Sequence, residues 1–290
     1  MSPAHTSVAD RLFVGMQYLL PQHLLSGAMR FLTRVRARPV KDLLIKAFLR
    51  LYAVDMAEAE RNDPGAYESF NAFFTRSLRP GARPVDPASD AVVSPVDGTV
   101  SQAGAIERGQ LLQAKGILYS TTALLGGDED LARRFDGGEF VTIYLAPFNY
   151  HRIHMPPAGT LARAAFVPGD LFSVNAATAA SVPGLFARNE RIACAFDTAA
   201  GTMAVVLVGA LFVGSMSLSW LGEVTAEGSG VRDLSGGRDP LALDKGAELG
   251  CFNMGSTVIL LFPRDALRLS PGLTPGAAVR MGQRIASLSR

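Results

Sequence analysis

At 290 residues the chain can bury one large core, or a core with a smaller appendage, without outside support. Hydrophobic residues make up 48%, charged residues only 19%, and mean hydropathy is +0.20, a balance compatible with membrane contact. Cys194 and Cys251 form neither a CxxC pair nor a metal cluster, which excludes a disulfide framework and makes a reducing compartment the expectation.

Net charge is +2 but unevenly spread: residues 1–50 hold Arg11, Arg30, Arg34, Arg36, Arg38, Lys41, Lys46 and Arg50 against Asp10 and Asp42. Asp10 and Arg11 interrupt the opening, so a secretory signal, and hence export, is not expected. Leu12, Phe13, Met16, Leu19 and Leu20, then Leu24, Leu25, Met29, Phe31 and Leu32, recur at helical spacing around Pro21 and predict two short amphipathic helices. Apolar faces beside arginines suit the headgroup layer of an anionic membrane; the plainer reading is a basic helical hairpin packed on its own core. Pro21, Gln22 and His23 argue against a spanning helix.

The pattern predicts one longer helix from Lys41 to Arg61, then a boundary near residues 70–90. Beyond it, β-branched runs punctuated by glycine and proline predict strands at Ala91–Val93, Thr99–Ser101, Phe140–Leu145, Ile192–Phe196, Met203–Leu207, Leu211–Leu218 and Thr257–Phe262. The uncharged stretch 198–222 is divided by Gly201, Gly209 and Gly214 and reads as a buried hairpin. Residues 226–240 read as a mobile loop, and no internal repeat is seen. The fold class expected is α+β: N-terminal amphipathic helices over residues 1–70, then a β-rich, mainly antiparallel core over 71–290.

Three turns carry the polar chemistry: Ser94 to Gly98 with Asp97, Tyr150 to Pro156 with His151 and His154, and Met254 to Thr257 with Ser256. An acid, a histidine and a serine suffice to activate a hydroxyl nucleophile. Each is weak alone. Asp97 before Gly98 reads as a turn residue, and the two histidines, half of the four in the chain, could ligate a metal, although no third ligand cluster supports one and none is expected. Of the three Gly-Ser pairs, at Gly214, Gly228 and Gly255, only Gly255-Ser256 falls where a turn-like segment (246–255) meets a strand, and glycine there lets a neighbouring hydroxyl approach its carbonyl.

These motifs together resemble those of phosphatidylserine decarboxylases. They comprise Phe70-Asn71-Ala72-Phe73-Phe74-Thr75-Arg76, Pro80-Gly81-Ala82-Arg83-Pro84, Pro95-Val96-Asp97-Gly98, Lys115-Gly116 with Tyr119-Ser120, residues 150–156, Asn189-Glu190-Arg191, and residues 250–262. Met254 stands where the family's Leu-Gly-Ser-Thr signature has leucine. The resemblance implies self-cleavage between Gly255 and Ser256 by Asp97, His154 and Ser256, which turns Ser256 into a covalent pyruvoyl cofactor at the head of a small chain, 256–290. That group would form a Schiff base with phosphatidylserine and take up the carbanion electrons, with His151 serving the decarboxylation; either histidine could serve both steps. The partners it implies are phosphatidylserine, an anionic membrane surface at the cytoplasmic face of the cell membrane, the large chain (1–255) bound to the small one, and a second copy of the chain; no nucleic acid is expected. A serine hydrolase using Ser256 or Ser215 lacks Gly-x-Ser-x-Gly, and a non-enzymatic membrane scaffold leaves the two-histidine motif unexplained.

Overall fold

The computed structural model describes residues 7–212, 215–226, 228–237 and 240–289. Three helices open the chain: α1 (Val8–Leu19), α2 (Gln22–Thr33) and α3 (Arg38–Leu51). A capping box starts α1, with Ser7 and Asp10 each accepting the other's amide, and Pro21 breaks it from α2 because proline has no amide to extend the ladder. Both helices dock mainly by polar residues. Gln17 accepts the Ser173 amide at 2.7 Å and donates to Thr178 at 3.2 Å; Gln22 accepts the Leu171 amide at 2.6 Å, and Ser26 that of Phe212 at 3.1 Å. Leu19 and Phe31, by contrast, are 86% and 78% exposed. The apolar stripes therefore face mostly outward.

The helix expected to reach Arg61 ends at Leu51. Tyr52 is extended, and the Asp55 side chain accepts the Ala57 amide, which starts a separate turn at Met56–Glu58. A five-residue helix, α4 (Phe70–Phe74), is capped by Ser69 and held to α3 by Phe48, whose ring centroid lies 5.4, 5.8 and 6.0 Å from those of Phe70, Phe73 and Phe74.

The β-rich core is antiparallel, as expected for an α+β chain. Its largest sheet runs in the order Arg232–Asp233, Gly159–Val167, Arg191–Thr198, Gly201–Val208, Thr257–Phe262, Glu139–Tyr144, Gly98–Ala105, Ala278–Val279, with Ala242–Leu243 also pairing Gly159–Val167. A four-stranded sheet (Gly222–Val224, Met216–Leu218, Glu248–Phe252, Arg152–His154) and a three-stranded one (Ala91–Val93, Arg284–Leu288, Leu267–Leu269) complete the frame of the site. Thr257–Phe262 sits mid-sheet and every residue in it is buried, which explains its uninterrupted apolar run.

Three local expectations are corrected. The buried hairpin lies between Arg191–Thr198 and Gly201–Val208, whereas Met216–Leu218 joins the smaller sheet; of the strand expected over 211–218, positions 213–214, including Gly214, lie outside the described residues. Residues 226–240, read as a loop, supply the edge pair Arg232–Asp233, with 227 and 238–239 outside the described residues. Within the turn-like segment 246–255, Glu248–Phe252 is a strand, because Cys251 pairs with Ser217 on one side and Arg152 on the other.

Candidate active site

The chain leaves the four-stranded sheet at Phe252 and enters the largest one at Thr257, so residues 253–256 bridge two sheets. Both ends of the bridge are fixed. Asn253 donates from its side chain to Ser215 at 2.8 Å and Ser217 at 3.1 Å, and its carbonyl accepts the Asn71 amide side chain at 2.8 Å. The Ser256 carbonyl accepts the Leu145 amide at 2.9 Å. Between them, the Ser256 hydroxyl is buried and has no hydrogen-bond partner among the described residues. A buried hydroxyl without a partner is costly and calls for an explanation.

His151 approaches the bridge at Gly255. Its ring lies 4.1 Å from that of Phe74, and its Nδ1 meets the Asn149 carbonyl at 2.8 Å. A carbonyl only accepts, so Nδ1 carries the proton and Nε2 presents a lone pair. That Nε2 is buried and unpartnered, and it lies 3.2 Å from where a Cβ on Gly255 would stand, so glycine permits the close approach. Burial pushes His151 down to about 3; the Arg76 charge adds to the effect and the Asn149 carbonyl opposes it. The imidazole is therefore a neutral base at physiological pH. Beside it opens a cavity of about 370 Å³ whose lining includes Phe13, Tyr52, Phe74, Phe212, Met254 and Ser256.

Asp97 and His154 occupy a different environment. The Asp97 carboxylate accepts Arg83 Nε at 2.8 Å and Nη2 at 2.5 Å, and also the Met281 amide at 2.9 Å. Gly98 follows because a Cβ there would lie 2.5 Å from the Tyr144 carbonyl. His154 Nδ1 donates to the Gly246 carbonyl at 2.8 Å, and its Nε2 accepts from the Tyr150 hydroxyl at 3.0 Å. Burial lowers His154, with the Gly246 carbonyl opposing. The structure thus joins His151, Gly255 and Ser256, while both ring nitrogens of His154 and both oxygens of Asp97 are engaged elsewhere. The two turns touch through the backbone, His154 donating to the Pro95 carbonyl at 2.9 Å.

Residues that the sequence offered without a role appear around the site. Asn71, Phe74 and Arg76, all in one short motif, bracket it: Asn71 holds the 253–256 bridge, Phe74 stacks on His151, and Arg76 donates to the Phe148 carbonyl at 3.3 Å. Asn253 holds the other side of the bridge, and only its nearness to Gly255 could have marked it. In the 189–191 motif, Asn189 donates to the Phe172 and Gly209 carbonyls, and Arg191 reaches those of Leu124, Asn189 and Ala123, so both serve the frame. Lys115 and Gly116 form the turn between Gln110–Ala114 and Ile117–Ser120, both at positive φ.

The family model described as phosphatidylserine decarboxylase matches residues 70–287, and one described as PSD matches 12–53. The chain is 53% identical over 283 residues to the phosphatidylserine decarboxylase proenzyme of Azotobacter vinelandii (97% of this chain, 99% of the relative). It is 53% identical over 276 residues to that of Pseudomonas fluorescens (94% and 96%) and 50% identical over 287 residues to that of Shewanella denitrificans (97% and 99%).

Proposed function

The chain belongs to the phosphatidylserine decarboxylase family, and from that premise we propose that it cuts itself between Gly255 and Ser256 and decarboxylates phosphatidylserine, for phospholipid synthesis, with the pyruvoyl group that Ser256 becomes. One observation carries this reading: the Ser256 hydroxyl and the His151 lone pair are both buried without a partner among the described residues, and the lone pair lies beside Gly255, to whose carbonyl Ser256 is joined. They are the two groups that a hydroxyl attack on that peptide requires.

His151 Nε2 takes the Ser256 proton as the oxygen attacks the Gly255 carbonyl carbon and gives it to the Ser256 nitrogen as the peptide C–N bond breaks, leaving an ester and a free amine. Loss of the Ser256 α-proton then breaks the Cβ–Oγ bond, leaving a carboxylate on Gly255 and dehydroalanine at 256, which water converts to the ketone with release of ammonia. The anchors at Asn253 and Leu145 hold the bond in place, and such positioning lowers the barrier without new chemistry. Asp97 and His154 contribute as positioning residues, because Asp97 fixes the turn whose Pro95 carbonyl holds the His154 strand, and that strand follows directly on His151.

The pyruvoyl group fits the buried position and the adjoining cavity, and it supplies a ketone that condenses with an amine and accepts the electrons freed as carbon dioxide departs. His151, at the same peptide, serves the decarboxylation by returning a proton to the carbon that loses carbon dioxide. Phe13 and Phe212, partly exposed, bring the cavity lining to the molecular surface beside α1.

Polar docking of α1 and α2 leaves Leu12, Met16, Leu19, Leu24 and Phe31 outward, which supports residues 1–70 resting peripherally on an anionic membrane at the cytoplasmic face. No helix among the described residues is long and apolar enough to cross a membrane. After cutting, the small chain stays bound because Thr257–Phe262 is hydrogen-bonded to large-chain strands on both sides. Intact-mass analysis tests the proposal: two fragments are expected, 1–255 and a 256–290 piece blocked at its N-terminus and reactive toward carbonyl reagents. A single 30.7 kDa chain with a free serine would overturn it.

A further inference from the structure

Arg76 is 5% exposed, yet it makes no ion pair among the described residues. Its Nε and Nη1 are closed to water and have no hydrogen-bond partner among the described residues; Nη2 donates to the Phe148 carbonyl, while the guanidinium lies 5.6 Å from the centre of the Phe73 ring. Three other deeply placed cations are satisfied. Lys41 pairs with Asp42, Arg83 with Asp97 and Glu58, and Arg191 donates to three carbonyls. A buried cation with two idle donors is costly to keep and is complementary to an anion.

Asp97 and Glu58 act on Arg76 from a distance but are paired with Arg83, and no carboxylate among the described residues pairs with Arg76; cutting creates a new one. When the Ser256 Cβ–Oγ bond breaks, the oxygen leaves with Gly255 as a new α-carboxylate, in a site where a charge without a partner would be strongly disfavoured. That carboxylate cannot go far. It lies two residues beyond the Asn253 carbonyl held by Asn71, a span of at most about 7 Å, and Met254 packs partly buried against the Phe70, Phe73 and Phe74 cluster. Arg76 belongs to the same motif as Asn71, and its charge is felt at His151, the ring beside Gly255.

We propose that Arg76 is the counter-charge for the Gly255 carboxylate released by self-cleavage, so that its buried guanidinium burdens the precursor and holds the large chain's new terminus in the cut protein. The inference rests on the cleavage reading above. It makes an unusual demand: the same substitution must destabilise the cut protein and not the uncut one.

The test compares Arg76→Met in two backgrounds, the self-cut protein and the uncut Ser256→Ala chain, by thermal melting, after intact mass has shown which form is present. In Ser256→Ala the substitution should leave the melting temperature unchanged or raise it; in the cut protein it should lower it by roughly 5–10 °C. Arg76→Lys, which keeps the charge, should recover most of that loss. Equal shifts in both backgrounds would overturn the proposal and make Arg76 a packing residue. So would equal shifts with a raised KM for phosphatidylserine, which would assign the two N–H groups to the substrate. Should Arg76→Met fail to accumulate, Arg76→Gln is read in the same two backgrounds against the same criterion. A wild-type chain that stays uncut removes the cleavage reading itself, and intact mass reports that before any melt is recorded.

Discussion

Two polar turns meet apolar strands in this molecule, one at Asp97 and one at Ser256, and they differ in how fully their hydrogen-bonding groups are used. Asp97, 6% exposed, gives its oxygens to Arg83 and to the Met281 amide. Ser256, 1% exposed, gives its hydroxyl to nothing, and the imidazole facing its peptide is likewise idle at Nε2. Folding tends to satisfy buried polar groups, so a satisfied one belongs to the frame and an unsatisfied pair marks where a reaction can supply the missing partner.

The largest effect should come from the idle pair. His151→Ala should cut itself about 10²–10⁴-fold more slowly, as expected for removing a general acid–base group, and should release correspondingly little carbon dioxide from phosphatidylserine. Intact mass followed over time measures it. Cutting at the wild-type rate in that variant would break the contrast, because the idle lone pair would then have no part in the attack. Asp97→Asn comes next: it removes one charge of a pair whose side chains are each 8% exposed, and should cost about 3 kcal/mol in denaturant melts. Slower self-cutting should accompany the loss. An Asp97→Asn protein of unchanged stability that fails to cut would move Asp97 from frame to chemistry.

Sequence alone made part of this contrast legible. Thr257–Phe262 is found with the predicted bounds because a strand buried on both faces has no polar interruption, and the Pro21 break between α1 and α2 follows from proline chemistry. Gly159–Val167 escaped notice because Arg163 and its exposed neighbours hide the period-two pattern. In the site, Asp97, His151, His154 and Ser256 could all be named, but not which histidine faces Gly255. That choice is made by the pairing of Arg152–His154 with Glu248–Phe252 and by the Tyr150 and Gly246 contacts that occupy His154, none of which is a local property of the sequence. The Asp97–Arg83 pair was equally hidden, since neither residue signals the other across the intervening proline-rich turn.

Glu190 offers a third condition between the satisfied and the idle, and the smallest predicted effect. It is 3% exposed with no ion pair among the described residues, and burial pushes its carboxyl up to about 7. Between the ordinary value of 4.5 and about 7, the folded state binds the extra proton, so stability is lost as pH rises through that window. His151 works the other way: held at about 3 against 6.5, it makes the unfolded state bind the extra proton, so stability is lost as pH falls below 6.5. A carboxyl moved from 4.5 to about 7 corresponds to roughly 3 kcal/mol, of which Glu190→Gln, itself leaving a buried polar amide, should recover on the order of 1–2 kcal/mol at pH 8. The gain should vanish below about pH 4.5, where Glu190 is protonated in both states. Denaturant melts of the variant across pH 4 to 8 measure it, and a pH-independent difference would mean that Glu190 stays ionised in the fold, with a partner that only solution conditions reveal.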